Sequence, residues 1–157
     1  MAKLGRLGGN NSMKAIIISG KENSGKTSIC NELIGVRHVI FNNHPRKTKN
    51  KICVVNINGK NCLIVSEGDN SDCIDNIKLY YNEAKETAKV TSIDVLIVTA
   101  RVTKDRKLVE QAKTILKGID PAIKISEIET SKRNETTPDF SISKEFYDQG
   151  KKVIKKI

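Results

Sequence analysis

A three-layer α/β fold is what this sequence predicts, with a mostly parallel sheet of about five strands and one β-hairpin. Three observations predict it. Apolar runs rich in Ile and Val, at 15–18, 93–98 and 122–128, alternate with stretches of helical periodicity. A glycine-rich stretch, Gly20-Lys21-Glu22-Asn23-Ser24-Gly25-Lys26-Thr27, joins the first run to the first helical stretch. The pair Asn58-Gly59, the preferred two-residue hairpin turn, separates two further apolar runs.

Residues 1–12 are rich in Gly and Asn and lack a period, so a flexible leader is expected there, with the domain spanning 13–157. Ala15-Ile16-Ile17-Ile18 is apolar and β-branched, as a strand buried on both faces must be. Ile29, Cys30, Leu33 and Ile34 then recur at helical spacing, and Gly35 supplies a stop.

The stretch between them fits G-x-x-x-x-G-K-[ST]. Its glycines let the backbone approach a ligand closely. The N–H groups of Glu22, Asn23, Ser24, Gly25, Lys26 and Thr27 can then converge on a phosphate at the start of a helix, where the helix dipole favours an anion. Lys26 supplies a cation for the outer phosphates. The Thr27 hydroxyl is the Mg²⁺ ligand, and Ser28 is an alternative hydroxyl one place on. Strand, glycine loop and helix together resemble the P-loop nucleoside-triphosphatase superfamily over residues 14–35. The resemblance implies a nucleoside triphosphate and Mg²⁺ as cofactors, with phosphate-binding residues Gly20 and Glu22 to Ser28. It identifies no specific subfamily.

After this helix, Val36 to Phe41 is a short strand or loop, and 42–50 breaks all periodicity. Loops in this position act as lids or switches in similar proteins. Arg46, Lys47 and Lys49 could meet phosphate there, although a solvated surface loop accounts for them equally, and His44 alone is no evidence of acid–base chemistry.

The hairpin comes next, with strands at 52–57 and 61–65. A two-residue loop sets Val55 opposite Cys62 and Cys53 opposite Ile64, and makes both faces apolar. Its second strand runs into Ser66-Glu67-Gly68-Asp69. A P-loop enzyme needs an acid at a strand end, beside the P-loop strand, to orient Mg²⁺ or its water. Asp69 or Glu67 fits that role, and capping of the next helix is the competing role for these residues. The aspartate does not directly end the apolar run, which departs from the usual pattern. Glu127 and Glu129 are the reserve candidates.

Ile74, Ile77, Tyr81, Ala84 and Ala88 predict a helix over 72–90, with Tyr80 packing at its border. Ile93 to Val98 is a buried strand ending in Thr99-Ala100-Arg101. Strand C-termini in open α/β sheets face the ligand crevice, so Arg101 is placed to clamp a phosphate and Thr99 to hold substrate or water. Leu108, Ala112, Ile115 and Leu116 predict a helix stopped by Gly118. After the last strand, 125–139 contains no N-K-x-D, the guanine-reading motif of GTPases, so adenine is the expected base. A final helix capped by Ser143 carries Lys151, Lys152, Lys155 and Lys156 in its last turns, where cations suit the dipole.

Composition narrows the classes. With 157 residues, 38% of them hydrophobic, no Trp and 4% aromatics, the core must be Ile, Val and Leu. No apolar run approaches a membrane span or a secretory signal. Four cysteines form no C-x-x-C pair, which argues against structural zinc. The location expected is cytoplasmic. A net charge of +10, from 28 Lys+Arg against 18 Asp+Glu, favours anionic partners. A lysine-rich baseline explains that charge unless the cations cluster on one face, and nucleic acid is the sharper alternative.

The function expected is an ATP-binding P-loop protein with Mg²⁺-dependent phosphoryl transfer, an ATPase or a small-molecule or nucleotide kinase with its own acceptor. Lys26, Asp69 and Arg101 are the expected catalytic residues, and Thr27, Asp69 and Glu67 the expected metal partners. The alternative is a low-turnover nucleotide-dependent switch or partner-binding module.

Overall fold

The computed structural model describes residues 13–21, 25–35, 39–42, 52–88, 92–130 and 139–157. The leader at 1–12, Glu22, Asn23 and Ser24, the basic loop with His44, Arg46, Lys47 and Lys49, and residues 131–138 lie outside the described residues. The elements in chain order are β1 (Lys14–Gly20), α1 (Lys26–Ile34), β2 (Val39–Asn42), β3 (Ile52–Ile57), β4 (Lys60–Val65), α2 (Ser71–Asp75), α3 (Ile77–Ala88), β5 (Val95–Arg101), α4 (Lys107–Ile119), β6 (Lys124–Glu129) and α5 (Asp139–Lys156).

The strands form one six-stranded sheet in the order β2-β3-β4-β5-β1-β6. β4, β5, β1 and β6 run parallel, while β3 is antiparallel to both of its neighbours. The central strands carry apolar residues on both faces through their middles because helices cover both sides. Ala15, Ile17, Leu63, Val65, Leu96 and Val98 point to the side packed by α3 and α4. Ile16, Ile18, Cys62, Ile64, Val95 and Ile97 point to the other, where Ile29 and Leu33 of α1 and Val153 of α5 meet them. The three-layer α/β expectation holds, with six strands among the described residues rather than five.

The hairpin has the expected register, with Val55 opposite Cys62 and Cys53 opposite Ile64. Its turn places Asn58 at φ 53° and Gly59 at φ 81°, the left-handed pair that a type I′ turn requires.

Several expectations need correction. The helix over 72–90 is two helices, divided at Asn76. The side chain of Asn70 caps α2 by accepting from the Cys73 N–H at 3.0 Å, so Asp69 and Glu67 do not hold that role. The α4 helix runs through Gly118 to Ile119, and α5 starts at Asp139, ahead of Ser143.

The largest correction concerns the sheet order. The hairpin strand β4 is not beside β1; β5 lies between them, pairing Val65 with Val98 on one side and Val98 with Ile17 on the other. The reason is topological. Consecutive parallel strands joined by a helical crossover prefer to be neighbours, and β5 follows β4 through α2 and α3. The apolar run Val95 to Val98 of β5 also suits a position between two buried strands better than an edge.

Candidate functional site

The end of β1 and the start of α1 are fixed by two glycines. Gly20 closes a fully buried strand end, and Gly25 sits at φ 92°, a left-handed position that a side chain would strain. Gly25 is the N-cap of α1, brings no capping side chain, and the first turn carries no acid. A helix start of this kind presents N–H groups and positive potential to an anion.

Lys26 opens α1 and is only 7% exposed. Its Nζ donates to the Gly20 carbonyl at 3.1 Å and the Lys21 carbonyl at 2.8 Å, which keeps the ammonium folded over the entry to the loop. Those are polar acceptors that a phosphate oxygen can replace at little cost, since the donor keeps a charge-assisted partner. Thr27 and Ser28 follow, both half-buried, on the first turn.

The C-terminal edge of the sheet brings three chain segments into one row. Gly20 is in register with Arg101, whose N–H donates to the Gly68 carbonyl at 2.9 Å, while the Val102 N–H donates to the Gly20 carbonyl at 2.8 Å. Arg101 is thus half-buried at the level of the P-loop entry, where the crevice argument placed it. Thr99, in contrast, is buried below the edge, 2% exposed, against the segment that follows β4.

Gly68 makes that row possible. A Cβ at this position would lie 1.8 Å from the Thr99 carbonyl oxygen, so the backbones touch as closely as only glycine allows. Gly68→Ala is expected to cost about 1–3 kcal/mol or more, as overpacking against unyielding backbone does. Urea denaturation checks it; an unchanged midpoint would show that the contact is not tight.

The two acids of this segment part company. Glu67 is buried, 8% exposed, with its carboxylate against Tyr80 of α3. Burial first, and then the hydrogen bond and negative charge of Glu67, push the Tyr80 hydroxyl up to about 12. Burial and the same carboxylate raise the Cys73 thiol. One carboxylate oxygen of Glu67, Oε2, has no hydrogen-bond partner among the described residues. Asp69 is exposed and stands one residue beyond the row of Gly68, Arg101 and Gly20. Parallel strands are about 4.8 Å apart, so β4 and β1 are separated by about 10 Å. That gap is too wide for a direct side-chain contact to the P-loop.

A second polar cluster lies behind the P-loop, and the sequence offered little sign of it. The Ser19 hydroxyl donates to Glu127 Oε2 at 2.5 Å. Arg106, at φ 54°, forms an ion pair with the same Glu127 oxygen and reaches Glu129 Oε2 at 3.4 Å. The Ser19 carbonyl accepts from the Thr130 N–H at 2.8 Å and the Thr130 hydroxyl at 3.1 Å. Glu127 and Glu129, the reserve metal candidates, are therefore engaged by Arg106. Two acids at i and i+2 on one strand do share a face, which is the only signal the sequence carries.

Burial pushes the Glu127 carboxyl up, but the Ser19 hydroxyl and the Arg106 guanidinium outweigh it, and the net shift is downward. A depressed carboxyl contributes stability above its unfolded value and loses it as pH falls through the folded one. Stability is expected to drop on acidification below the ordinary Glu range, and Glu127→Gln should flatten that dependence. Equal slopes for the two proteins in denaturation at pH 7 and about pH 4 would contradict the network.

Cys30, Cys53 and Cys62 are buried thiols outside any disulfide, on the α1 side of the sheet. Burial, with a smaller push from Cys53, takes Cys30 up to about 12, so it stays a neutral packing group. No group of metal-ligating residues forms among the described residues. No helix among them is long and apolar enough to cross a membrane.

A family model described as 50S ribosome-binding GTPase matches residues 15–144. No curated protein matches the chain.

Proposed function

Because the chain belongs to the 50S ribosome-binding GTPase family, a P-loop nucleotide-binding family whose model covers most of its length, we propose that it binds and slowly hydrolyses a guanine nucleoside triphosphate. Residues 13–157 form the nucleotide-binding domain in this reading. The observation that carries it is the junction of β1 and α1: left-handed Gly25, an acid-free helix start, and the Lys26 ammonium held at the loop entry by two carbonyls.

The phosphates lie against the N–H groups from Gly25 onward, and Lys26 exchanges its carbonyl acceptors for outer phosphate oxygens. As the bond to the leaving diphosphate lengthens, that ammonium meets the growing negative charge, which is where a fixed cation lowers the barrier. Arg101, in register with Gly20, is the second cation at the same edge. The helix start and hydroxyls fit Mg²⁺: Thr27 would hold it directly and Asp69 through water, and the ion would neutralise charge on the bridging phosphate oxygens. Exposed Asp69 suits this better than Glu67, which turns under α3.

The adenine expectation and the kinase reading give way here. The family is named for GTP hydrolysis, and nothing in the row of Gly68, Arg101 and Gly20 provides for a phosphoryl acceptor. The base is still read without an N-K-x-D motif, so the preference for guanine is expected to be modest, about tenfold, or one or two hydrogen bonds. Calorimetric titration with GTP and ATP analogues tests it. Equal affinity, or tighter ATP, would overturn the guanine assignment and leave the phosphate site standing.

A further inference from the structure

The polar cluster behind the P-loop takes no part in the proposed hydrolysis, yet it ends on the residue before Gly20. Ser19 is fully buried, and alternation along β1 puts it on the α4 side with Ile17. Its hydroxyl donates to Glu127 Oε2 at 2.5 Å, and its carbonyl accepts from the Thr130 N–H at 2.8 Å and the Thr130 hydroxyl at 3.1 Å. The next carbonyl, of Gly20, accepts from the Val102 N–H at 2.8 Å and from the Lys26 Nζ at 3.1 Å. Glu127, Ser19, Gly20 and Lys26 thus form one continuous chain of contacts, from β6 to the ammonium at the loop entry. The pairing of β1 with β6 runs in register from Lys14 to Ser19 without these side chains, so closing the sheet does not require them.

Arg106 anchors that chain in a conformation arginine disfavours. Asn58 and Arg106 are the non-glycine residues with positive φ among the described residues, and Asn58 sits in a hairpin turn that requires it. Arg106, at φ 54°, is instead the N-cap of α4, where it makes no side-chain cap hydrogen bond and where glycine would sit without strain. What the arginine supplies is its fork: one arm forms an ion pair with Glu127 and the other reaches Glu129 Oε2 at 3.4 Å. Burial favours the neutral acid at Glu127, the Ser19 hydroxyl and Arg106 outweigh it, and Glu127 stays a carboxylate. A carboxylate only accepts, so the Ser19 hydroxyl must donate to it and its rotation is fixed. Strain held at one residue by a tertiary contact points to a function of that contact.

We propose that Arg106 and Glu127 are positioning residues of the phosphate loop. Their ion pair holds Ser19, and through Ser19 the Gly20 carbonyl against which the Lys26 ammonium rests. The consequence for a ligand rests on the nucleotide reading above; the hold on the start of the loop does not. Both residues lie on the α4 face, behind the loop, so neither meets a phosphate. They act on where the loop starts, and displacing a binding group by about 1 Å is enough to weaken what it holds. All phosphates of a nucleotide lie against that loop, so loss of the pair weakens diphosphate and triphosphate alike. That differs from loss of Lys26, which serves the outer phosphates. A pair that only stabilised the fold would change the melting temperature and leave the affinity of the folded protein as it was.

The test uses the full chain, with Arg106→Gly as the central variant, because glycine accepts the left-handed backbone while the guanidinium is lost. This variant should melt close to the parent. Calorimetric affinities for GDP and for a GTP analogue should both fall by about fivefold, the worth of one hydrogen bond. Without nucleotide, hydrogen exchange at the Thr130 and Val102 amides, which read the Ser19 and Gly20 carbonyls, should quicken by about tenfold, while the Ile17 amide in the middle of β1 keeps the parental rate. Ser19→Ala should reproduce both effects, and the double variant should be no worse than Arg106→Gly alone, since both changes break the same path. Parental exchange at Thr130 and Val102 in Arg106→Gly, a loss of affinity confined to the triphosphate, or effects that add in the double variant would each overturn the proposal, and a parent that still binds nucleotide would keep the nucleotide reading. Quickened exchange at those two amides, in a chain whose parent binds neither nucleotide, would leave the positioning role standing and refute the nucleotide reading instead.

Discussion

Lys26→Ala is expected to lower triphosphate turnover by about 10²–10³-fold, as removal of a fixed charge-stabilising donor does. Triphosphate affinity should fall as well, by about 10–100-fold, since a charged hydrogen bond is worth about 1.5–3 kcal/mol. The fold should survive. Lys26 donates to the Gly20 and Lys21 carbonyls, and the Gly20 carbonyl keeps the Val102 N–H as a partner when the ammonium is gone. The side chain is nevertheless buried, so Lys26→Met, which keeps most of the volume, is the second variant. Both should lose turnover while melting close to the parent protein. Binding of a diphosphate should suffer less than that of a triphosphate, because the lysine serves the outer phosphates. A multiple-turnover phosphate-release assay and calorimetry read both quantities, and a Lys26→Met protein with parental turnover and affinity would remove the P-loop assignment.

The P-loop and its flanking elements were legible because their signals are local. A β-branched apolar run, two glycines at fixed spacing and a helical stripe act within about twenty residues, and the structure reproduces each as β1, Gly25 and α1. The hairpin was legible for the same reason, since Asn58-Gly59 fixes the register by turn geometry alone. Sheet order is not local. Whether β4 or β5 pairs with β1 depends on the crossover path, and both strands are apolar enough to be buried. The position of Glu67 was hidden too. Its burial follows from Gly68 pressing on the Thr99 carbonyl, a contact between segments thirty-one residues apart in number. Arg106 in a left-handed conformation, bridging Glu127 and Glu129, has no sequence signal at all, because arginine disfavours that backbone and only the tertiary ion pair compensates.

The two acids after β4 are now distinguishable by experiment, because they face different surroundings. Asp69→Asn is expected to reduce Mg²⁺-dependent turnover about 10–100-fold, the usual loss when a residue that orients a metal ligand is neutralised. Nucleotide binding without Mg²⁺ should be nearly unaffected, since the phosphates are held from Gly25 and Lys26. The change is clean with respect to folding: Asp69 is exposed, and Asn70 rather than Asp69 caps α2. Glu67→Gln should do the reverse. The amide still offers an oxygen to the Tyr80 hydroxyl and removes the buried charge, while its NH2 takes the place of the unpartnered oxygen. Loss of the buried charge offsets the cost of the buried amide donor, so this variant should stay close to the parent in stability and keep turnover within a few-fold. Tyr80 should then ionise at lower pH, because the neighbouring negative charge that helps to raise it is gone. Ultraviolet titration of the tyrosines, urea denaturation and phosphate release at several Mg²⁺ concentrations together separate the two residues. If Glu67→Gln abolishes turnover while Asp69→Asn leaves it intact, the metal-orienting acid is the buried one, and the carboxylate must leave Tyr80 to reach the P-loop during the reaction.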